Sequence, residues 1–207
     1  MAAFTPPAIV SCDTWGAKVR PPNRIVTTKA IGIVIHHTAT ENVDVSRLSD
    51  AASQKRAFAF ARSIQLDHIH RGYGDSGQHF TVTRDGMILE GRRGSLATLN
   101  SGMSMVSGAH TTGATGVNEP HHIHYWNDGY IGIENEGTYS FELPPDALWD
   151  SLILLCAFIV SQYGFWPLRI LGHRDFNKTA CPGETLYGQI GSLRRNVSTL
   201  VRGRVDW

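Results

Sequence analysis

Two short β-branched runs constrain this chain more than any other feature: IGIVIHH at residues 31–37 and YIGIENEG at residues 130–137. Successive side chains on a strand point to opposite faces. In the first run Ile31, Ile33 and Ile35 share a face with His37, whereas Gly32 and Val34 share the other with His36. In the second, Ile131 and Ile133 form one face and Gly132, Glu134 and Glu136 the other. Each strand combines an isoleucine face suited to a core with a glycine-containing face that ends in a polar residue. Such a pair predicts a sheet buried on one side and flanking a groove on the other, with His36 and Glu134 beside it.

The remaining segments are consistent with that sheet. HFTVTRDGMILEG (residues 79–91) predicts a hairpin about a two-residue Asp85-Gly86 turn. Residues 45–70, rich in Ala and Arg and free of Pro and Gly, predict a helix. Residues 146–163 predict another, so apolar at LILLCAFIV that it must be largely buried. A short strand at residues 169–171 and a last helix from about 184 towards 201 follow, while residues 92–128 read as loop-rich. Pro6-Pro7 and Pro21-Pro22 predict that residues 1–30 form an extended segment packed on a single domain of residues 31–207. Interleaved strands and helices with at least one antiparallel pair give an α/β fold with a mixed central sheet flanked by helices.

Composition excludes several classes. A chain of 207 residues with 42% apolar and 18% charged residues is a globular domain, not a disordered tail. A net charge of +1 provides no strong basic field, so no nucleic-acid partner is expected. The longest apolar run, residues 152–160, falls short of the roughly 20 residues a bilayer crossing needs, so no membrane insertion is expected. The first residues, MAAFTPPAIVSC, have neither a basic n-region nor an apolar h-region, so no secretory signal is readable. Three cysteines are too few for a disulfide framework and leave room for one bridge plus one working thiolate.

Chemistry concentrates in GHRDFNKTACPG (residues 172–183), where His173 and Cys181 stand eight positions apart across a polar loop. Alone, His36 reads as a hydrogen-bonded core histidine and Glu134 as a solvated edge carboxylate. Together, His36, His173 and Cys181 are three good zinc ligands that leave a fourth position for water, the pattern of a catalytic site. Glu134 is then the candidate to move a proton. The letters HRD also occur in protein kinases, but no glycine-rich loop or DFG accompanies them here.

These motifs resemble, in order, the zinc-dependent N-acetylmuramoyl-L-alanine amidases, a family that includes peptidoglycan recognition proteins and phage amidases. The resemblance runs through WGA with Pro21-Pro22, IVIHHTA, RSIQ-x-x-H, GYGDSGQHF, DGMILEGR, SGAHTTG, IGIENEG and GHRDFNKTACPG. It implies one zinc per chain on His36, His173 and Cys181, Glu134 as general base, and Thr179 as stabiliser of the developing oxyanion. It implies muramyl-peptide contacts from His37, Thr38, His68, Gln78 and His79. Gln78 stands where many catalytic members carry tyrosine, so any acid–base role there is lost. His110, His121, His122 and His124 receive no firm role, and residues 103–128 are a candidate for substrate choice.

The implied reaction is hydrolysis of the amide between the lactyl group of N-acetylmuramic acid and L-alanine, by a monomer acting on peptidoglycan. Alternatives are a non-catalytic recognition module and a cytoplasmic recycling amidase. Non-catalytic members typically lack the cysteine ligand, which favours hydrolysis here. Without a readable signal, the chain is expected to stay cytoplasmic until release, as a phage endolysin does, or to be secreted with its signal trimmed. Some animal members also imply a Cys12–Cys156 bridge, with two buried thiols as the alternative.

Overall fold

A computed structural model describes residues 5–111 and 122–202, and the side chains of all of these except 122–125. In chain order the elements are β1 (Ile9–Val10), α1 (Cys12–Trp15), β2 (Ile25–Val26), β3 (Gly32–His37), α2 (Asp50–His70), β4 (Phe80–Val82) and β5 (Ile88–Glu90). Then follow α3 (Ser95–Ser101), β6 (Met105–Val106), α4 (His122–Gly129), β7 (Tyr130–Asn135), α5 (Asp146–Tyr163), β8 (Ile170–Gly172), α6 (Glu184–Gly188) and α7 (Ile190–Val201). Six strands form one sheet in the order β1-β5-β4-β7-β3-β8, and β2 pairs with β6 separately. Within the main sheet β4 and β5 are antiparallel, and the other neighbours are parallel. This is the mixed sheet that the hairpin and the interleaved helices predict.

The register of β3 on β7 sets everything that follows. Ile33 lies beside Ile131, Ile35 beside Ile133, and His36 beside Glu134. In-phase pairing makes the two isoleucine faces one surface, because a slip of one residue would turn every side chain over. That surface, with Phe80, Val82 and Ile88, packs against Leu152 and Leu155 of α5 and Leu193 and Val197 of α7. Helix α5 is long and apolar enough to cross a membrane, but Leu148, Leu152, Leu155, Cys156 and Ile159 lie inside this core. Each such leucine contributes about 1.5–3 kcal/mol by leaving water. On the other face, α2 packs through Ala57 and Ala61 onto Leu89, Cys12 and Trp15. Val34, Tyr130 and Phe176 form a smaller cluster there.

Several local expectations are corrected. Helix α2 begins at Asp50 and not near residue 45, because the Ser49 hydroxyl caps it by accepting from the Ala52 N–H. The hairpin turns one residue earlier than Asp85-Gly86: the Gly86 N–H donates to the Thr83 carbonyl and the Thr83 N–H to the Met87 carbonyl, each at 2.9 Å. Arg84 and Asp85 form the corner, and Gly86 takes the left-handed position after it, at φ +84°. The stretch read as loop-rich carries α3, β6 and α4. Small polar residues disguise α3, which forms between Gly94 and Gly102 and buries Leu99. The last helix breaks at Gln189 into α6 and α7. The first 30 residues are not uniformly extended, since Ser11 caps α1 and β1 adds an edge strand beside β5. Cys12 and Cys156 are free thiols. They belong to clusters on opposite sides of β5, which packs Leu89 towards one and Ile88 towards the other.

Candidate active site

Strand β3 delivers His36, almost fully buried, to the open face of the sheet. Its Nε2 lies 3.0 Å from His110 Nδ1, and its Nδ1 lies 3.7 Å from the Cys181 sulfur. Strand β8 delivers His173 through a tight turn, held where the Gly172 N–H donates to Asp175 Oδ2 at 2.8 Å. Phe176 pins this turn, its ring packed edge-on against Trp126 and Tyr130. His173 Nε2 contacts Asn177 Oδ1 at 2.9 Å. Cys181 closes the loop, its sulfur accepting from the His37 N–H at 3.4 Å.

The ligand atoms of His36, His173 and Cys181 lie within 4.8 Å of one another. Tetrahedral zinc with bonds of about 2.0–2.1 Å to nitrogen and about 2.3 Å to sulfur places nitrogen and sulfur roughly 3.6 Å apart and two nitrogens roughly 3.3 Å apart. The 3.7 Å between His36 Nδ1 and Cys181 Sγ matches the nitrogen–sulfur spacing, and two imidazoles with a thiol are donors of the kind such an ion takes. Burial holds His36 and His173 below the usual imidazole value and pushes the Cys181 thiol up to about 12. Both imidazoles are therefore neutral and metal-competent at neutral pH, while the thiol needs a bound cation to ionise.

These residues open onto a cleft of about 630 Å³. Glu134, beside His36 in register, lines it, and burial raises its carboxyl to about 7. His37, Thr38, His68, Gln78 and Thr179 line the same cleft. His37 Nδ1 accepts from the Tyr139 N–H at 3.2 Å, which leaves Nε2 towards the groove. Thr38 Oγ1 accepts from the Gly137 N–H at 2.9 Å, and His68 Nδ1 from the Gly77 N–H at 2.9 Å. The Gln78 amide donates to Thr81 Oγ1 at 2.9 Å. Lys178, the neighbour of Thr179, is exposed to solvent.

His79 departs from expectation. It is fully buried and is not among the cleft-lining residues. Its Nε2 is bonded to the Val106 carbonyl at 2.7 Å, and its Nδ1 accepts from the Gly132 N–H at 2.9 Å. With both nitrogens engaged by backbone, it links neighbouring strands and has none left for a ligand. His110, to which the sequence gives no firm role, instead lies in the cleft against His36. Asn127 holds it there, accepting from the His110 N–H at 3.0 Å and the Thr111 N–H at 3.1 Å. The one signal for His110 was its place in SGAHTTG. His121 and the side chains of His122 and His124 lie outside the described residues, as does part of 103–128.

A model of the N-acetylmuramoyl-L-alanine amidase family matches residues 27–184. The chain belongs to that family. Peptidoglycan-recognition protein LB of Drosophila melanogaster is 30% identical over 186 residues, spanning 89% of this chain and 68% of that protein. Peptidoglycan recognition protein 1 of Bos taurus is 29% identical over 182 residues, spanning 87% of this chain and 80% of that protein. The solved structure of Drosophila PGRP-LB superposes with a TM-score of 0.68 at 29% identity, covering 89% of this chain and 93% of that one. The endolysin amidase LysCS of Clostridium intestinale shares the fold, with a TM-score of 0.62 at 22% identity over 92% of this chain and 97% of that one.

Proposed function

We propose that the protein is a zinc-dependent N-acetylmuramoyl-L-alanine amidase, which hydrolyses the amide between the lactyl group of N-acetylmuramic acid and L-alanine in peptidoglycan. One observation carries this: the ligand atoms of two imidazoles and a thiol converge within 4.8 Å of one another in a cleft that also holds Glu134. His36, His173 and Cys181 hold the ion. Zinc supplies Lewis-acid polarisation and a more acidic water. Among the described carboxylates of the cleft, Asp67 is paired with Arg71 at 2.8 Å, which leaves Glu134 as the group that takes a proton from water and returns it to the leaving amine. Thr179 Oγ1 accepts from the Cys181 N–H at 3.2 Å, so its hydroxyl proton is free to donate to the developing oxyanion. His37 Nε2 is a second donor on the same wall. Gln78 exchanges no proton and is assigned to holding the muramyl peptide, together with Thr38 and His68.

Several relatives are recognition proteins, and the Drosophila PGRP-LE structure carries tracheal cytotoxin, a monomeric diaminopimelic acid-type peptidoglycan. That supports a muramyl peptide as the ligand and makes recognition without cleavage the rival. Retention of the third ligand, Cys181, favours hydrolysis. Incubation with intact sacculi and with soluble muropeptides tests the choice. Release of stem peptides from sacculi supports wall lysis, whether after endolysin-like release or secretion. Release from soluble muropeptides alone supports recycling. Binding without release from either overturns the amidase proposal.

A further inference from the structure

We infer that His110 is a positioning residue that fixes the tautomer of His36, so that His36 presents a bare Nδ1 lone pair to the metal position. The inference rests on the zinc site proposed above and assigns a role to a residue outside its ligand set.

The argument starts at a backbone carbonyl. His110 Nε2 lies 3.1 Å from the Tyr130 carbonyl oxygen, which only accepts hydrogen bonds, so the proton sits on Nε2. A second proton, on Nδ1, would make the ring a cation whose described side-chain hydrogen-bond contacts are a carbonyl and another imidazole, with no carboxylate to pair it, so the ring carries a single proton. A neutral imidazole has one N–H, so His110 Nδ1 is an acceptor. His36 Nε2, 3.0 Å away, must then be the donor. A neutral His36 that carries its proton on Nε2 has none on Nδ1, the nitrogen that faces Cys181. The position of one backbone oxygen thus selects the ligating nitrogen two imidazoles away. His173 is arranged in the same sense, its Nε2 bonded to Asn177 and its Nδ1 left free.

The surroundings of His110 are shaped to keep this ring in place. A Cβ on Gly132 would lie 2.5 Å from His110 Cγ, and one on Gly108 would lie 2.6 Å from its Cδ2. Neither glycine has a left-handed backbone that would otherwise require it. Both leave room for an imidazole.

Zinc affinity by chelator competition, measured on the full chain and on His110→Leu and His110→Asn, tests the inference, with the imidazole tautomers of metal-free wild type read by nitrogen-15 NMR. Loss of an outer-shell partner of this kind typically weakens metal binding about 10–100-fold. His110→Leu is expected to show that loss with unchanged circular dichroism. His110→Asn, whose Oδ1 can replace Nδ1 as acceptor, is expected to recover most of it. The NMR spectrum is expected to place the His36 proton on Nε2. Equal zinc affinity in a folded His110→Leu, or a His36 proton on Nδ1, overturns the inference. Should His110→Leu fail to fold, the wild-type tautomer decides. Should the wild type bind no zinc, the zinc proposal fails, and the tautomer still tests the role of His110 independently.

Discussion

Replacing Gly132 by alanine places a methyl group where the cleft has no room for one. Its Cβ would lie 2.5 Å from His110 Cγ and 2.6 Å from Cδ2, against ordinary carbon–carbon contact at about 3.5–4.0 Å. The ring cannot simply retreat, since Nε2 is held by the Tyr130 carbonyl at 3.1 Å and the His110 N–H by Asn127 Oδ1 at 3.0 Å. The strand is equally fixed: the Gly132 N–H donates to His79 Nδ1, and its carbonyl accepts from the His79 N–H, both at 2.9 Å. Alanine suits the backbone here, so the cost is steric. Overpacking of this kind costs about 1–3 kcal/mol. At roughly 2–4 °C per kcal/mol for a domain of this size, Tm should fall by about 2–12 °C. Differential scanning calorimetry of Gly132→Ala beside Gly188→Ala makes the comparison, because a Cβ at Gly188 meets nothing within 4 Å. The control is expected to match the wild type or gain up to about 1 kcal/mol. A Gly132→Ala protein that melts with the wild type would refute the claim that the cleft wall is built around the His110 ring.

Two further predictions concern stability. Burial lowers His37 and His79 to about 4, so their contributions are fully present above about pH 6.5 and are lost as pH falls towards 4. Urea unfolding of metal-free protein should therefore give lower stability at pH 5 than at pH 7. Glu134, raised from 4.5 to about 7, opposes this, because its folded form binds the proton more tightly across that window. Glu134→Gln should accordingly show the steeper acid loss, and a flat profile in both proteins contradicts the assignment. Glu136, 2% exposed, is held by Arg56 Nη2 at 3.0 Å and by the Arg84 N–H at 2.9 Å. Arg56→Ala leaves a buried carboxylate without its ion pair and should cost about 3–5 kcal/mol, towards the lower end because the arginine is 20% exposed. Denaturation midpoints within error of wild type would contradict it.

Alternation made β3 and β7 legible, including the face that carries His36 and Glu134, because period-2 patterning and burial on one side leave a single phase. It could not order the sheet: that β4 lies between β5 and β7 depends on long-range pairing with no local signal. The same limit explains His79. Sequence placed it in the groove beside Gln78, but neighbours on an extended chain face opposite ways, and the turn into β4 sends Gln78 to the cleft and His79 to the backbone of β7. Helix α3 was hidden because Ser, Thr and Asn have the composition of a loop, whereas burial of Leu99 with Ser95 and Thr98 favours the helix. His110 acts through tautomer and contact, which spacing along the chain does not encode. The meeting of His36, His173 and Cys181, by contrast, was readable from residue types and motif order, since few side chains have the chemistry of zinc ligands.

A purified disaccharide stem peptide, incubated with zinc-loaded protein in water enriched in oxygen-18 and analysed by mass spectrometry, tests the central claim most directly. Hydrolysis at the predicted bond yields a stem peptide with a free L-alanine amine and a disaccharide whose lactyl carboxylate carries the label. Product should vanish on exhaustive chelation and in Cys181→Ser, and fall by about 10²–10⁴-fold in Glu134→Gln. An uncut substrate with zinc-loaded protein, or full cleavage by chelated protein or by Cys181→Ser, would contradict a zinc-dependent amidase.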